Sequence, residues 1–74
     1  MTPAHCRAAR ALLGWSQKDL AMKAKVSTST VSSFESGVRQ PIPNNIDAIA
    51  GAFVVAGIED AARRFLDSIT AWQG

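Results

Sequence analysis

One cysteine, one histidine and no tyrosine occur in the 74 residues of this chain. A single thiol excludes an internal disulfide, and one imidazole leaves no set of zinc ligands at usable spacing. Folding has to rest on apolar packing, near the lower size at which one core suffices. The longest apolar stretch, AIAGAFVVAGI at residues 48–58, is short of the ~20 residues that a membrane-crossing helix needs. Arg7 and Arg10 stand where a secretory leader would carry its apolar segment, so a cytoplasmic protein without membrane contact is expected. None of the five glycines sits in a phosphate-cradling loop. Repeats, low-complexity runs and long linkers are absent too. The expectation is a single domain over residues 1–74, with no cofactor, no metal and no separate ligand-sensing domain.

Charge is modest overall, at +2, but unevenly placed. Through residue 45, Arg7, Arg10, Lys18, Lys23, Lys25 and Arg39 face only Asp19 and Glu35. Beyond it, Arg63 and Arg64 face Asp47, Glu59, Asp60 and Asp67. The basic half is the half suited to a polyanion.

Hydrophobic periodicity and capping residues predict an all-α chain of five helices. The first runs from about Pro3 to Leu13, with proline at an allowed first position and Gly14 past its end. Cys6, Ala9 and Leu13 share a face, which makes Cys6 a small core residue and not a reactive thiol. His5 points about 100° away from it and reads as a surface residue. Residues 16–37, SQKDLAMKAKVSTSTVSSFESG, then read as two short helices about a tight corner. Ser16 caps the first, Asp19 completes a capping box, and Trp15 is placed to staple onto Leu20. Leu20, Ala21 and Ala24 form the inward stripe, and Val26 carries it into the corner. Ser27 caps the second helix, Val31 and Phe34 point inward, and Gly37 ends it. Thr28, Ser29, Ser32, Ser33 and Ser36 are left facing out. Serine and threonine are poor helix formers, so propensity did not select that face. A merely solvated surface is the plain alternative.

After Gly37, Pro41 and Pro43 forbid continuation of the helix, and Asn44 offers the next N-cap. Ile46, Ile49, Ala50 and Phe53 predict helix four from about Asn45 to Ala56, stopped by Gly57. Ala62, Phe65, Leu66, Ile69 and Trp72 recur at helical spacing over a fifth helix at about 59–72, with Glu59 and Asp60 at its positive dipole end. These large residues exceed the needs of a small core. Part of them is expected inside and part, Phe65, Ile69 and Trp72, in a dimer seam.

The segment from Arg7 to about Gly57 resembles the phage repressor and Cro type of helix-turn-helix domain, often called the XRE family. The resemblance is carried by Gln17, the Leu20-Ala21 pair, Val26 past the corner, Val31, and Phe34-Glu35-x-Gly37, with RAARALLGWSQ upstream as the first helix and its connection. It implies a lambda-repressor-like five-helix bundle whose helix at about 28–36 enters the major groove of double-stranded DNA. Thr28, Ser29, Ser33 and Ser32 are then the candidates for base contact. Gln17, Lys18, Ser36, Arg39, Gln40 and Asn44 are those for the DNA backbone, with Gln17 at a helix N-terminus. Arg10 and Glu35 stand where the family forms a structural ion pair. At Lys25 the family usually has glycine, so a left-handed corner there would cost about 1 kcal/mol.

The function expected from this resemblance is a sequence-specific regulator, a repressor blocking promoters by occupancy, bound as a homodimer to a pseudo-palindromic operator. The competing reading is an antitoxin-like interaction protein whose C-terminal helix holds a protein partner. Catalysis is not expected, because no acid, base or metal groups converge.

Overall fold

A computed structural model of the chain describes residues 1–38 and 41–72. The order is α1 (Pro3–Leu13), α2 (Gln17–Ala24), α3 (Thr28–Ser36), α4 (Pro43–Val55) and α5 (Ile58–Trp72), with no strand among the described residues. The described residues form the five-helix, all-α architecture expected.

Local chemistry sets the boundaries. The Thr2 hydroxyl accepts the His5 N–H, Pro3 occupies the first turn of α1, and Gly14 closes it in the left-handed region at φ 69°. Ser16 and Asp19 form the complete capping box at the head of α2, with reciprocal hydrogen bonds of 3.0 and 2.9 Å. Two orphan N–H groups are satisfied by that exchange. Ser27 caps α3 through the Thr30 N–H at 3.0 Å, and Gly37 ends it at φ 77°. Helix α4 begins earlier than the sequence suggests. Pro43 takes its first turn and Ile42 stands at the cap without a side-chain hydrogen bond, so Asn44 is not the cap but an exposed residue of the first turn. The pre-set φ of proline nucleates this turn without a capping oxygen.

The corner between α2 and α3 is left-handed at Lys25, with φ 59° and ψ 41°. Lys25 is the one non-glycine with positive φ among the described residues. Its N–H bonds the Met22 carbonyl at 3.4 Å and the next N–H, of Val26, reaches Ala21 at 3.0 Å, so the turn that glycine usually supplies is made by lysine.

Helix α2 packs on both α3 and α4, and α1 packs on α3 and α5. Between them lies one core of Cys6, Leu20, Ala21, Ala24, Val31, Phe34, Ile49 and Phe53. Small residues at 21 and 24 allow close helix approach. Trp15 stacks on Phe53 with centroids 5.8 Å apart, tying the α1–α2 connection to α4. Helix α5 is different: it buries no residue, and Phe65, Leu66, Ile69 and Trp72 are all exposed. The share of these large residues expected in the core is therefore not there; of the stripe only Ala62 is half-buried.

Candidate nucleic-acid interface

Glu35, on the inward side of α3, is 3% exposed and is the one buried charged residue of the described chain. Four donors converge on its carboxylate. Arg10 of α1 makes a two-pronged contact, Nε to Oε2 at 2.6 Å and Nη2 to Oε1 at 2.8 Å. Gln17, at the start of α2, donates its amide to Oε1 at 3.1 Å. Cys6 of α1 donates its thiol to Oε2 at 3.2 Å. Arg7 donates to the backbone carbonyl of the same residue. Arg10 also reaches the Trp15 carbonyl at 2.9 Å, across the α1–α2 connection. No buried side-chain polar atom among the described residues lacks a partner. Such saturation is what keeps a buried charge from being a net liability.

The electrostatics follow from this geometry. Burial pushes the Glu35 carboxyl up, but hydrogen bonds from Arg10, Gln17 and Cys6 and the charge of Arg10 outweigh it and hold the group at about 2. Burial, and then the hydrogen bond to Glu35, push the Cys6 thiol up to about 12. Its bond to Glu35 raises the Arg10 guanidinium above its ordinary value. Both members of the pair stay ionised at neutral pH and the thiol stays protonated as a donor. The ion pair expected between Arg10 and Glu35 is present, at the centre of a larger network.

That network fixes the helix next to it. α3 is held at its start by the Ser27 cap and near its end by Glu35, so its outer face has a defined orientation relative to α1 and α2. Thr28, Ser29, Ser32 and Ser36 are exposed on it, while Ser33 is half-buried. The Ser36 hydroxyl donates to the Ser33 carbonyl at 3.1 Å. Thr30 turns to the Ser27 hydroxyl at 2.8 Å, which removes it from the outer face.

Around this face, Lys18 is exposed in the first turn of α2. Gln17 is half-buried with its amide on Glu35, so what its position offers outward is the backbone N–H of a helix N-terminus. Asn44 is exposed at the head of α4. Arg39 and Gln40 lie outside the described residues. Phe65, Ile69 and Trp72 form a separate apolar stripe on α5. Sequence reasoning missed Cys6, Arg7 and the Gln17 amide as partners of Glu35. The sequence shows that Cys6, Arg7 and Arg10 lie within little more than one turn of α1, but the packing of α1 on α3 is what brings them to Glu35.

A family model described as helix-turn-helix matches residues 7–55. The chain belongs to this family, of the phage repressor and Cro type. Its two-helix unit is α2 and α3, and the family is one of DNA-binding transcriptional regulators. Among curated proteins, no sequence matches the chain. No described helix is long and apolar enough to cross a membrane.

Proposed function

We propose that the protein is a repressor that occupies promoter DNA in the cytoplasm, as a homodimer on a pseudo-palindromic operator. The observation that carries this reading is the hydroxyl-lined outer face of α3, supported from behind by the Glu35 network. Thr28, Ser29 and Ser32 meet base edges in the major groove, with Ser33 at the margin of that contact. Lys18, Ser36, Asn44 and the α2 N-terminus at Gln17 hold the flanking phosphates, joined by Arg39 and Gln40. Two copies place their α3 helices about 34 Å apart, one turn of the duplex.

Arginine, lysine, asparagine and glutamine, which make the two-pronged base contacts worth roughly 1 to 3 kcal/mol each, are absent from this face. Readout therefore leans on the Thr28 methyl against thymine, water-bridged hydroxyls and duplex shape. No catalytic role belongs to this reading, since Asp19 caps a helix, Glu35 is saturated, and Asp60 pairs with Arg64.

Selection of bound fragments from random duplexes at two salt concentrations, followed by single-base substitution of the selected site, tests the proposal. Graded losses at several positions, with a half-site repeat, are expected. A sharp loss confined to guanines would contradict the readout, and equal affinity for every duplex would defeat the reading itself.

A further inference from the structure

The Glu35 carboxylate is shared evenly among the helices around it. Arg10 places one guanidinium nitrogen on each oxygen, which fixes the carboxylate along the line of the fork but leaves it able to rock about that line. The two flanks are taken by different helices: the Cys6 thiol of α1 bonds Oε2 at 3.2 Å, and the Gln17 amide of α2 bonds Oε1 at 3.1 Å. Each flanking donor blocks the rocking that would lengthen the other's bond.

An ionised carboxylate offers only acceptors, so it fixes which way round the amide stands, nitrogen inward. A phosphate could draw the amide away only by taking a donor from a charge that is 3% exposed, in exchange for a bond made against the competition of water. What Gln17 leaves for a phosphate is main chain. The capping box consumes the N–H groups of Ser16 and Asp19. Those of Gln17 and Lys18, the first two positions of α2, have no partner among the described residues. Gln17 thus carries part of a phosphate seat on its backbone and, on its side chain, the tether that joins this seat to α3.

We infer that Gln17 acts through its amide as a positioning residue for duplex readout and not as a phosphate ligand: by way of Glu35 it fixes the offset between the seat at the head of α2 and the hydroxyl face of α3. Cys6 is a second positioning residue, acting through the same carboxylate. The inference rests on the DNA-binding reading above. Phosphate contacts set the register of a protein on the duplex, and contacts to base edges read its sequence. Both are made at once only if their separation is held to about 0.5 Å. A loosened tether costs sequence-specific binding most, because the attraction of lysines to an arbitrary duplex does not depend on that offset.

Affinity for two probes tests this: the duplex recovered in the selection above and a mixed-sequence duplex of equal length, with circular dichroism showing that each variant is folded at the assay temperature. Gln17→Met keeps the length of the side chain and removes the donor; Gln17→Ala, a good helix former, serves if the first does not fold. The substitution should weaken binding to the selected duplex by about tenfold, the order of one charge-assisted hydrogen bond, and to the mixed duplex by less than about twofold. Lys18→Ala, at a phosphate ligand, should weaken both about equally. Cys6→Ala should lower the ratio of the two affinities by roughly two- to fivefold, and Cys6→Ser, which keeps a donor, should restore it. Equal losses on both probes in the Gln17 variant would make its amide a phosphate ligand and overturn the inference, with the DNA reading intact. An unchanged ratio overturns it too. If Cys6→Ser does no better than Cys6→Ala, the thiol only packs and its positioning role is overturned. A wild type that prefers no duplex overturns the DNA reading and this inference together.

Discussion

The junction of α1, α2 and α3 and the free half of α5 solve opposite problems. At the junction a charge sits inside, and every donor and acceptor around it is matched by the chain itself. On α5 an apolar stripe sits outside, and no described residue covers it. The first arrangement makes orientation: a carboxylate held by four donors from two helices tolerates few alternative positions. The second leaves apolar surface in water, where it adds little to the stability of the single chain. The described chain thus holds one polar helix on a rigid frame near its start and leaves an apolar stripe in water near its end.

Glu35→Gln separates the two regions most sharply. Removing one partner of a buried pair leaves the Arg10 guanidinium uncompensated, so folding stability falls by about 3 to 5 kcal/mol. Trp72→Ala, made in the exposed stripe, leaves the stability of the isolated monomer within about 0.5 kcal/mol. Denaturant titration of both variants at low protein concentration measures the contrast. Equal losses would mean that α5 is part of the monomer core.

Acid gives a second and smaller separation. Glu35 is held at about 2, below its ordinary 4.5, so the stability it contributes is complete above pH 4.5 and is lost as pH falls toward 2. The shift corresponds to roughly 3 kcal/mol by linkage. Cys6 acts in the other direction. Its thiol is raised from 9.0 to about 12, so its contribution is complete below pH 9 and declines as pH rises toward 12. Melting curves across pH should show both edges in the wild type. Only the basic edge should vanish in Cys6→Ser, which keeps a donor without a titrating thiol, and that outcome isolates the thiol from the arginines beside it.

Much of this was legible in the sequence, unevenly. Caps at Ser16 and Ser27 and stops at Gly14 and Gly37 follow from local chemistry, so α1 to α3 match their expected bounds. Asn44 misled because proline can open a helix without a side-chain oxygen, and which device operates depends on the loop's path. The Glu35 network was readable only as the Arg10 pair. That Cys6 and Gln17 join it depends on the distances between three helices, which no periodicity encodes. Faces are equally ambiguous: α5 shows an apolar stripe whether or not the core covers it, and only its exposure in the fold shows that the core does not.

The smallest effect concerns the corner on which both regions depend, since it sets α3 against α2. Lys25 holds φ 59°, where a side chain crowds its own backbone. Glycine relieves that crowding but loses more freedom on folding, and the two effects oppose each other. At a left-handed position the relief is the larger, so Lys25→Gly should stabilise the fold by about 1 kcal/mol, read as a rise in Tm. Lys25 is exposed and lies off the outer face of α3, so the gain should appear without a change in duplex preference. Lys25→Ala separates the causes: it removes the charge and keeps the Cβ, and should give little of the gain. A gain with alanine equal to that with glycine would assign the strain to the lysine charge in a basic half, and the left-handed corner would then cost this chain nothing.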